Sequence, residues 1–275
     1  FTPVQKRDFS LNINLNASKN WNKGGETTID RTTGMYLTGS NTQILKEGYP
    51  LSGFWSYSFA GLDGSNGKPM FNYVEVPEEE KSKGIDPTTY LVYSGEKEPY
   101  FTGGLGLSFR YKSLSLNTSF SLLLGSKKRL TSPYNDFRGE HNMMPDPTKN
   151  INRDLLNRWQ KTGDEAYTNI PGLPIWPLGI TWTLPNTETA ESPIYMWDKS
   201  DAMVVSASFL RCRNIGLSWQ MKKEWCDKIH AKNLSINFNM DNVFVIASKR
   251  FNGFDPELEN SIMPRSFSLG LNIGF

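Results

Sequence analysis

The sequence predicts an all-β fold, in which antiparallel strands form part of a transmembrane β-barrel with long loops at one end. Three observations carry that expectation. The last stretch, PRSFSLGLNIGF, alternates without a break: Phe267, Leu269, Leu271, Ile273 and Phe275 are apolar, while Ser266, Ser268, Gly270, Asn272 and Gly274 are small or polar. Strand side chains point to opposite faces with a period of two, so this strand has one apolar and one wet face. Residues 101–125 repeat the pattern as a hairpin, each arm having the roughly 9–11 residues that cross a bilayer at a tilt. The connection at Lys112-Ser113 is minimal and the next, over residues 126–200, is very long and irregular. Short turns at one end and long loops at the other are the asymmetry of outer-membrane barrels. The edge strand of a soluble sandwich would alternate in the same way, so no single strand separates the two.

Composition narrows the classes. The chain has 275 residues, of which 37% are hydrophobic and 13% aromatic, with a mean hydropathy of −0.49. No run approaches the roughly 20 apolar residues of a membrane helix. Barrel strands dilute apolar residues one for one with polar ones, so a barrel stays open. A formal net charge of +2 gives no electrostatic case for nucleic acid. The opening FTPVQKRDF has neither an initiator Met nor an apolar signal core, which makes an exported product a piece of a longer precursor.

In chain order, residues 8–19 form the first strand, with Phe9, Leu11, Ile13, Leu15 and Ala17 opposite Ser10, Asn12, Asn14, Asn16 and Ser18. Asn is a poor strand former, and three on one face point to a face that is wet along its length. Residues 20–50 read as loop. Residues 53–60, GFWSYSFA, read as another strand with Trp55, Tyr57 and Phe59 on one face, and LDGSNGKP after it as a hairpin turn rather than a phosphate loop. Within 126–200 one helical piece spans 150–164, capped by Asn150 or Asn152. Trp159, Trp176, Trp182 and Trp197 in this region are candidates to stack on a sugar or peptide, or to form the loop's own packing core, the commoner use of aromatics. Strands at 209–221 and 234–241 precede the terminal one. In the first of these Ile215, Leu217, Trp219 and Met221 are apolar, and Arg211 and Arg213 continue that face upward, beyond the apolar band. About eight strands are expected in all.

Nothing assembles into a catalytic set. His141 and His230 lie in separate connections, and Glu78, Glu79 and Glu80 form a solvated run. Asp146, Asn150, Asn152 and Asp154 lack calcium-loop spacing, so no metal and no cofactor is expected. Cys212 lies in a predicted strand and Cys226 beyond its end. Nine extended residues place Cys212 roughly 30 Å from Met221, too far for a disulfide between the two cysteines to be expected.

The order of several longer segments carries a resemblance. SFLRCRNIGLSWQM, NLSINFNMDNVFVI, FNGFDPELEN and PRSFSLGLNIGF together resemble the carboxy-terminal signature of SusC/RagA-type TonB-dependent outer-membrane transporters. That signature has an FLR-x-RN-I-x-L-x-Y strand, an N-L-F turn, a G-F-D-P-E loop and a final P-R-x-F-x-x-G strand. EGYPLSGFWSYSFAGLD (47–63), YLVYSGEKEPYFTGGLGLSFRYKSLSL (90–116) and LLNRWQKTGD (155–164) resemble upstream segments of the same family. Cys212 stands where an apolar residue is usual, Trp219 replaces the common Tyr, and DNVF stands for NLF.

The resemblance implies residues 1–275 as the carboxy-terminal portion of a barrel of about 22 strands, without its plug and signal peptide, and with residues 126–200 as a long extracellular loop. It implies import of glycan or peptide with a SusD-like surface lipoprotein, energised by the TonB complex through an amino-terminal part, and no enzymatic activity. It also implies that Phe267, Leu269, Leu271, Ile273 and Phe275 form the signal read by the barrel-assembly machinery and face outer-membrane lipid. A soluble carbohydrate-binding β-sandwich, or an outer-membrane adhesin barrel, is the alternative from the residues alone.

Overall fold

The structure, a computed structural model, describes residues 1–26, 37–38, 46–72, 87–134, 148, 150–173, 182–183, 190–258 and 261–275. The strands are β1 (Val4–Gln5), β2 (Phe9–Lys19), β3 (Gly53–Leu62), β4 (Pro69–Asn72), β5 (Leu91–Glu96), β6 (Phe101–Tyr111) and β7 (Leu114–Leu124). They continue as β8 (Lys127–Arg129), β9 (Trp182–Thr183), β10 (Ala190–Glu191), β11 (Val204–Ser206), β12 (Phe209–Gln220), β13 (Asn233–Ile246) and β14 (Ser266–Gly274). Two short α-helices are described, α1 (Pro193–Asp198) and α2 (Lys223–Lys228). The chain divides into two units: one of Phe1–Trp21, Pro99–Ser126 and Ser206–Phe275, the other of Asn22–Glu98 and Lys127–Val205.

The first unit is a seven-stranded sheet in the order β1-β2-β6-β7-β12-β13-β14, antiparallel throughout. Register sorts its side chains into two continuous faces. Leu11, Phe109, Leu116, Leu217, Phe238 and Leu269 stand opposite one another across six strands, and so do Asn12, Ser108, Asn117, Gly216, Asn239 and Ser268. The first row is apolar and the second polar, because a period-two sequence paired in register repeats its pattern across every strand. β1 and β14 are the two edges, and the sheet is not closed within this chain.

The wet face is filled by amides lying over glycines. A Cβ added at Gly104 would come within 2.5 Å of the Asn16 side-chain oxygen, and one at Gly216 within 2.8 Å of that of Asn239. Thus Asn, poorly suited to strands in isolation, is accommodated here by a neighbour without a side chain. Ser119 Oγ donates to Asn214 Oδ1 at 2.6 Å, tying β7 to β12 on the same face.

One irregularity changes the reading of β12. The register slips between Cys212 and Asn214 against both neighbours. Above the slip Leu210 and Cys212 pair with Leu122 and Phe120 on the apolar face, whereas below it Ile215, Leu217 and Trp219 hold that face. Arg213 is the extra residue, and a bulge of this kind reverses which alternate residues face which side. Arg211 therefore does not extend the apolar face. It pairs with Ser121 on the wet one. Cys212 is fully buried between its cross-strand neighbours Phe120 and Phe244, whose ring centroids are 6.4 Å apart. Both cysteines are free and buried.

The second unit has its own core. A β4-β3-β5 sheet packs Phe54, Trp55, Tyr57, Phe71 and Leu91 together with Tyr134, Leu155, Ile194, Met196 and Trp197. GFWSYSFA is thus a strand, but not one of the seven. The expectation of about eight barrel strands counted it with them because its alternation looks the same; in fact both its faces are buried, Ser56 as completely as Trp55. The helical piece expected over 150–164 is two 3₁₀ turns, Arg153–Asn157 and Asp164–Ala166. Asn152 caps the first by accepting from the Asp154 N–H. LDGSNGKP turns β3 into β4, as expected.

Candidate functional site

Three places concentrate the residues that the sequence singled out. The first is β14, bonded to β13 along Asn233–Asp241 and open on its other edge. Phe267, Leu269, Leu271, Ile273 and Phe275 remain 43–77% exposed. Their apolar row continues across Phe238, Leu217 and Trp219, each 37–38% exposed. A sandwich would cover such a surface with a second sheet. Among the described residues none covers it, and apolar patches of this breadth mark lipid or partner surfaces.

The second place lies at the opposite end of the strands from the tight turns. Arg211 is 3% exposed, and one of its terminal nitrogens lies 2.6 and 2.7 Å from the two oxygens of Asp255 and 2.8 Å from Glu257 Oε2. Its guanidinium lies over the Phe209 ring at 5.2 Å. Asp255 also accepts from the Glu257 N–H, so the GFDPE segment wraps its carboxylate around the strand arginine. The sequence reading did not pair these residues. A charged residue inside a strand otherwise rich in apolar residues was the available signal, since a buried charge requires a partner.

The third place is in the second unit. The Trp159 ring lies against the backbone of Gly67 and Gly172; a Cβ at either would meet its Cε3, at 2.3 and 3.0 Å. Its indole N–H donates to Glu165 Oε2 at 3.1 Å, and Gly163, at φ 100°, donates its N–H to the same oxygen at 2.8 Å. Asp164 accepts the N–H groups of Gln160 and Lys161. The RW-x-x-x-GD motif is thereby a closed turn that pins one tryptophan against the glycines of the Asp63 turn. Trp197 is 1% exposed and donates its indole N–H to Asn169 O at 2.8 Å. Of the two uses open to Trp197, packing is the one that its surroundings supply, with Tyr134 and the core around it. Trp176 and His141 lie outside the described residues, and of Trp182 only the backbone, in β9, is described.

Arg129 organises this unit from within. It donates to the carbonyls of Thr38, Trp55 and Lys199 and to Ser56 Oγ, over the Phe54 ring. Burial pushes its guanidinium down to about 10, still charged at neutral pH. Burial raises the Tyr134 hydroxyl, which stays a donor to Pro171 O.

No family model matches the chain. The TonB-dependent receptor P3 of Formosa agariphila is 22% identical over 305 residues, covering 99% of this chain and 27% of that protein. The TonB-dependent receptor SusC of Bacteroides thetaiotaomicron is 24% identical over 290 residues, covering 99% and 25%. A structure of the RagAB peptide importer in its open-open state superposes with a TM-score of 0.64 at 20% identity, over the whole of this chain and 27% of that one. Over its whole length the chain is similar to SusC/RagA-type TonB-dependent receptors. It spans about a quarter of the length of the curated relatives it matches. The RagAB transporter structure, with a TM-score of 0.62 at 20% identity, has the same fold over this region, including the open seven-stranded sheet.

The Trp159 turn is expected to be pH-sensitive. The Ser65 hydroxyl, then its N–H, hold Asp63 below the usual carboxylate range. Glu165 is lowered by its own N–H first, then by the Trp159 indole. Both folded values lie below the unfolded ones, so their contribution is complete above the ordinary carboxylate range and is lost as pH falls through the folded values. Trp159 fluorescence in the full-length protein should hold constant from about pH 8 to about pH 5 and change below about pH 4. A Glu165→Gln variant should flatten that acid transition.

Proposed function

We propose that the chain is the carboxy-terminal part of an outer-membrane, TonB-dependent importer of glycans or peptides. In this reading the apolar face of the seven-stranded sheet meets lipid and the Asn/Ser/Gly face lines the lumen. Residues 126–200 are the long extracellular loop, a SusD-like lipoprotein captures substrate at the cell surface, and an amino-terminal part outside this chain meets the TonB complex. The observation that carries this reading is the pair of faces: an uncovered apolar row and a continuous wet row, on one sheet with two open edges. Backbone groups on such edges are costly in lipid unless further strands pair with them. Ligand stacking by Trp159, Trp176 and Trp182 belongs to the same reading. It is a transport reading rather than an enzymatic one because the relatives are named receptors and an importer.

The full-length protein is expected to fractionate with the outer membrane and to migrate anomalously in unheated detergent gels, as closed barrels do. Recovery from the soluble periplasm would sink the proposal.

A second expectation concerns the final strand as the assembly signal. Its alternate apolar side chains would be recognised as an added strand by the assembly machinery. Phe275→Ser removes an aromatic worth roughly 1.5–3 kcal/mol when fully buried, whereas Asn272→Ser leaves the apolar face intact. Inserted barrel, measured by protease protection, should fall only for the Phe275 variant. Equal insertion of the two would mean that this strand does not direct assembly.

A further inference from the structure

The register brings three turns to one end of the sheet: residues 6–8, 112–113 and 221–232, next to the paired row Phe9, Tyr111, Leu114 and Trp219. These turns hold Lys6, Arg7, Lys112, Lys222, Lys223, Lys228 and Lys232 against Asp8, Glu224 and Asp227, and all ten are exposed. They therefore carry seven of the chain's 30 basic residues and three of its 28 acidic ones. The turn end is net +4, and the rest of the chain is net −2. Among the described residues none of these cations pairs with an acidic side chain, and Lys232 Nζ donates to the Phe275 main-chain oxygen at 2.9 Å.

Aromatic side chains sit directly above the charges. Trp219 and Trp225 pack edge to face at 5.8 Å, Phe9 and Phe109 at 5.2 Å, and Lys112 Nζ lies 5.4 Å from the centre of the Tyr111 ring. α2 shows how the two chemistries are layered. Cys226 and Ala231 are buried, while Trp225 and Ile229, four residues apart, are 48% and 46% exposed and flanked by Lys222, Lys228 and Lys232. Indoles favour the boundary between acyl chain and headgroup. Lysines beside them can lay their stems on apolar surface and extend their ammonium groups to phosphate.

We propose that this end of the sheet is a binding belt for anionic phospholipid headgroups, with Lys222, Lys223 and Lys228 as its principal contacts and Trp225 seated at the acyl boundary. The inference rests on the membrane reading above and adds to it a lipid preference. Charge complementarity selects the occupant: a cationic ring against an apolar band matches an anionic lipid, whereas a zwitterionic headgroup would leave the excess charge unmatched. Each lysine near an anionic surface strengthens binding roughly fivefold, so removing three should weaken it about a hundredfold.

The test uses the full-length protein purified in neutral detergent and titrated separately with phosphatidylglycerol, phosphatidylcholine and inorganic phosphate while its thermal midpoint is followed. Phosphatidylglycerol alone should raise the midpoint, with less effect at high salt. Lys222→Gln/Lys223→Gln/Lys228→Gln should keep the lipid-free midpoint and respond about a hundredfold more weakly, while Lys249→Gln, at the other end of the strands, should respond as the parent does. An equal response to phosphatidylcholine or to phosphate, or a triple variant that responds normally, would overturn the belt. If the parent meanwhile fractionates with the outer membrane, the barrel reading survives that result. A parent found in the periplasm removes both.

Discussion

Replacing Arg211 with Met in the full-length protein should cost about 3–5 kcal/mol, the range for breaking a buried ion pair from one side. Arg211 and Asp255 are 3% and 4% exposed, so deletion of the cation leaves a carboxylate with neither its partner nor water. Asp255→Ala should destabilise in the same direction but by less, because Glu257 Oε2 still lies 2.8 Å from the guanidinium, whose Nε has no hydrogen-bond partner. Changing both residues to apolar ones should cost much less than the two single losses combined, because no buried charge remains and Glu257, 32% exposed, reaches water. The temperature at which the folded band disappears in a detergent gel reads these differences. Additive losses in the double variant would show that the pair is not coupled. The segment from Asn252 to Leu258 should also become protease-sensitive in Arg211→Met, since Asp255 ties it to β12.

Trp197→Ala should be as damaging but in a different place. The side chain is 1% exposed and packs on Tyr134 at 6.1 Å, so its removal opens a cavity costing about 3–5 kcal/mol. Trp197→Phe keeps most of the volume and loses the bond to Asn169 O, a loss of about 1 kcal/mol. Core and sheet belong to separate units. The alanine variant should therefore become protease-sensitive within 127–205 while the gel transition of the sheet stays near that of the parent. Collapse of both together would mean that the units fold as one.

These two sites differ in how far the chain announces them. The alternation of β2, β6, β7, β13 and β14 is legible because each residue's face depends only on its position along its own strand. The Arg211 clasp was hidden by two non-local facts: the slip at Arg213, which swaps faces, and the approach of Asp255 from 44 residues away. Asp255 and Glu257 were visible only as part of a motif, whose pairing required the fold. Trp159 and Trp197 look alike in sequence, yet one is held against two glycine backbones and the other is sealed in a core.

By itself the sequence determined the all-β class, the two-faced strands, the tight turn at Lys112-Ser113 and the order of the SusC/RagA-type segments. All of these follow from near-neighbour patterning: period two, turn chemistry and spacing. Only the tertiary structure decided that β3 leaves the large sheet for a second core, that Arg211 turns to the wet face, and that three turns separated by more than 200 residues form one cationic end. Membership of a sheet is set by pairing between distant strands, and a strand buried on both faces carries the same alternating aromatics as one that meets lipid on a single face.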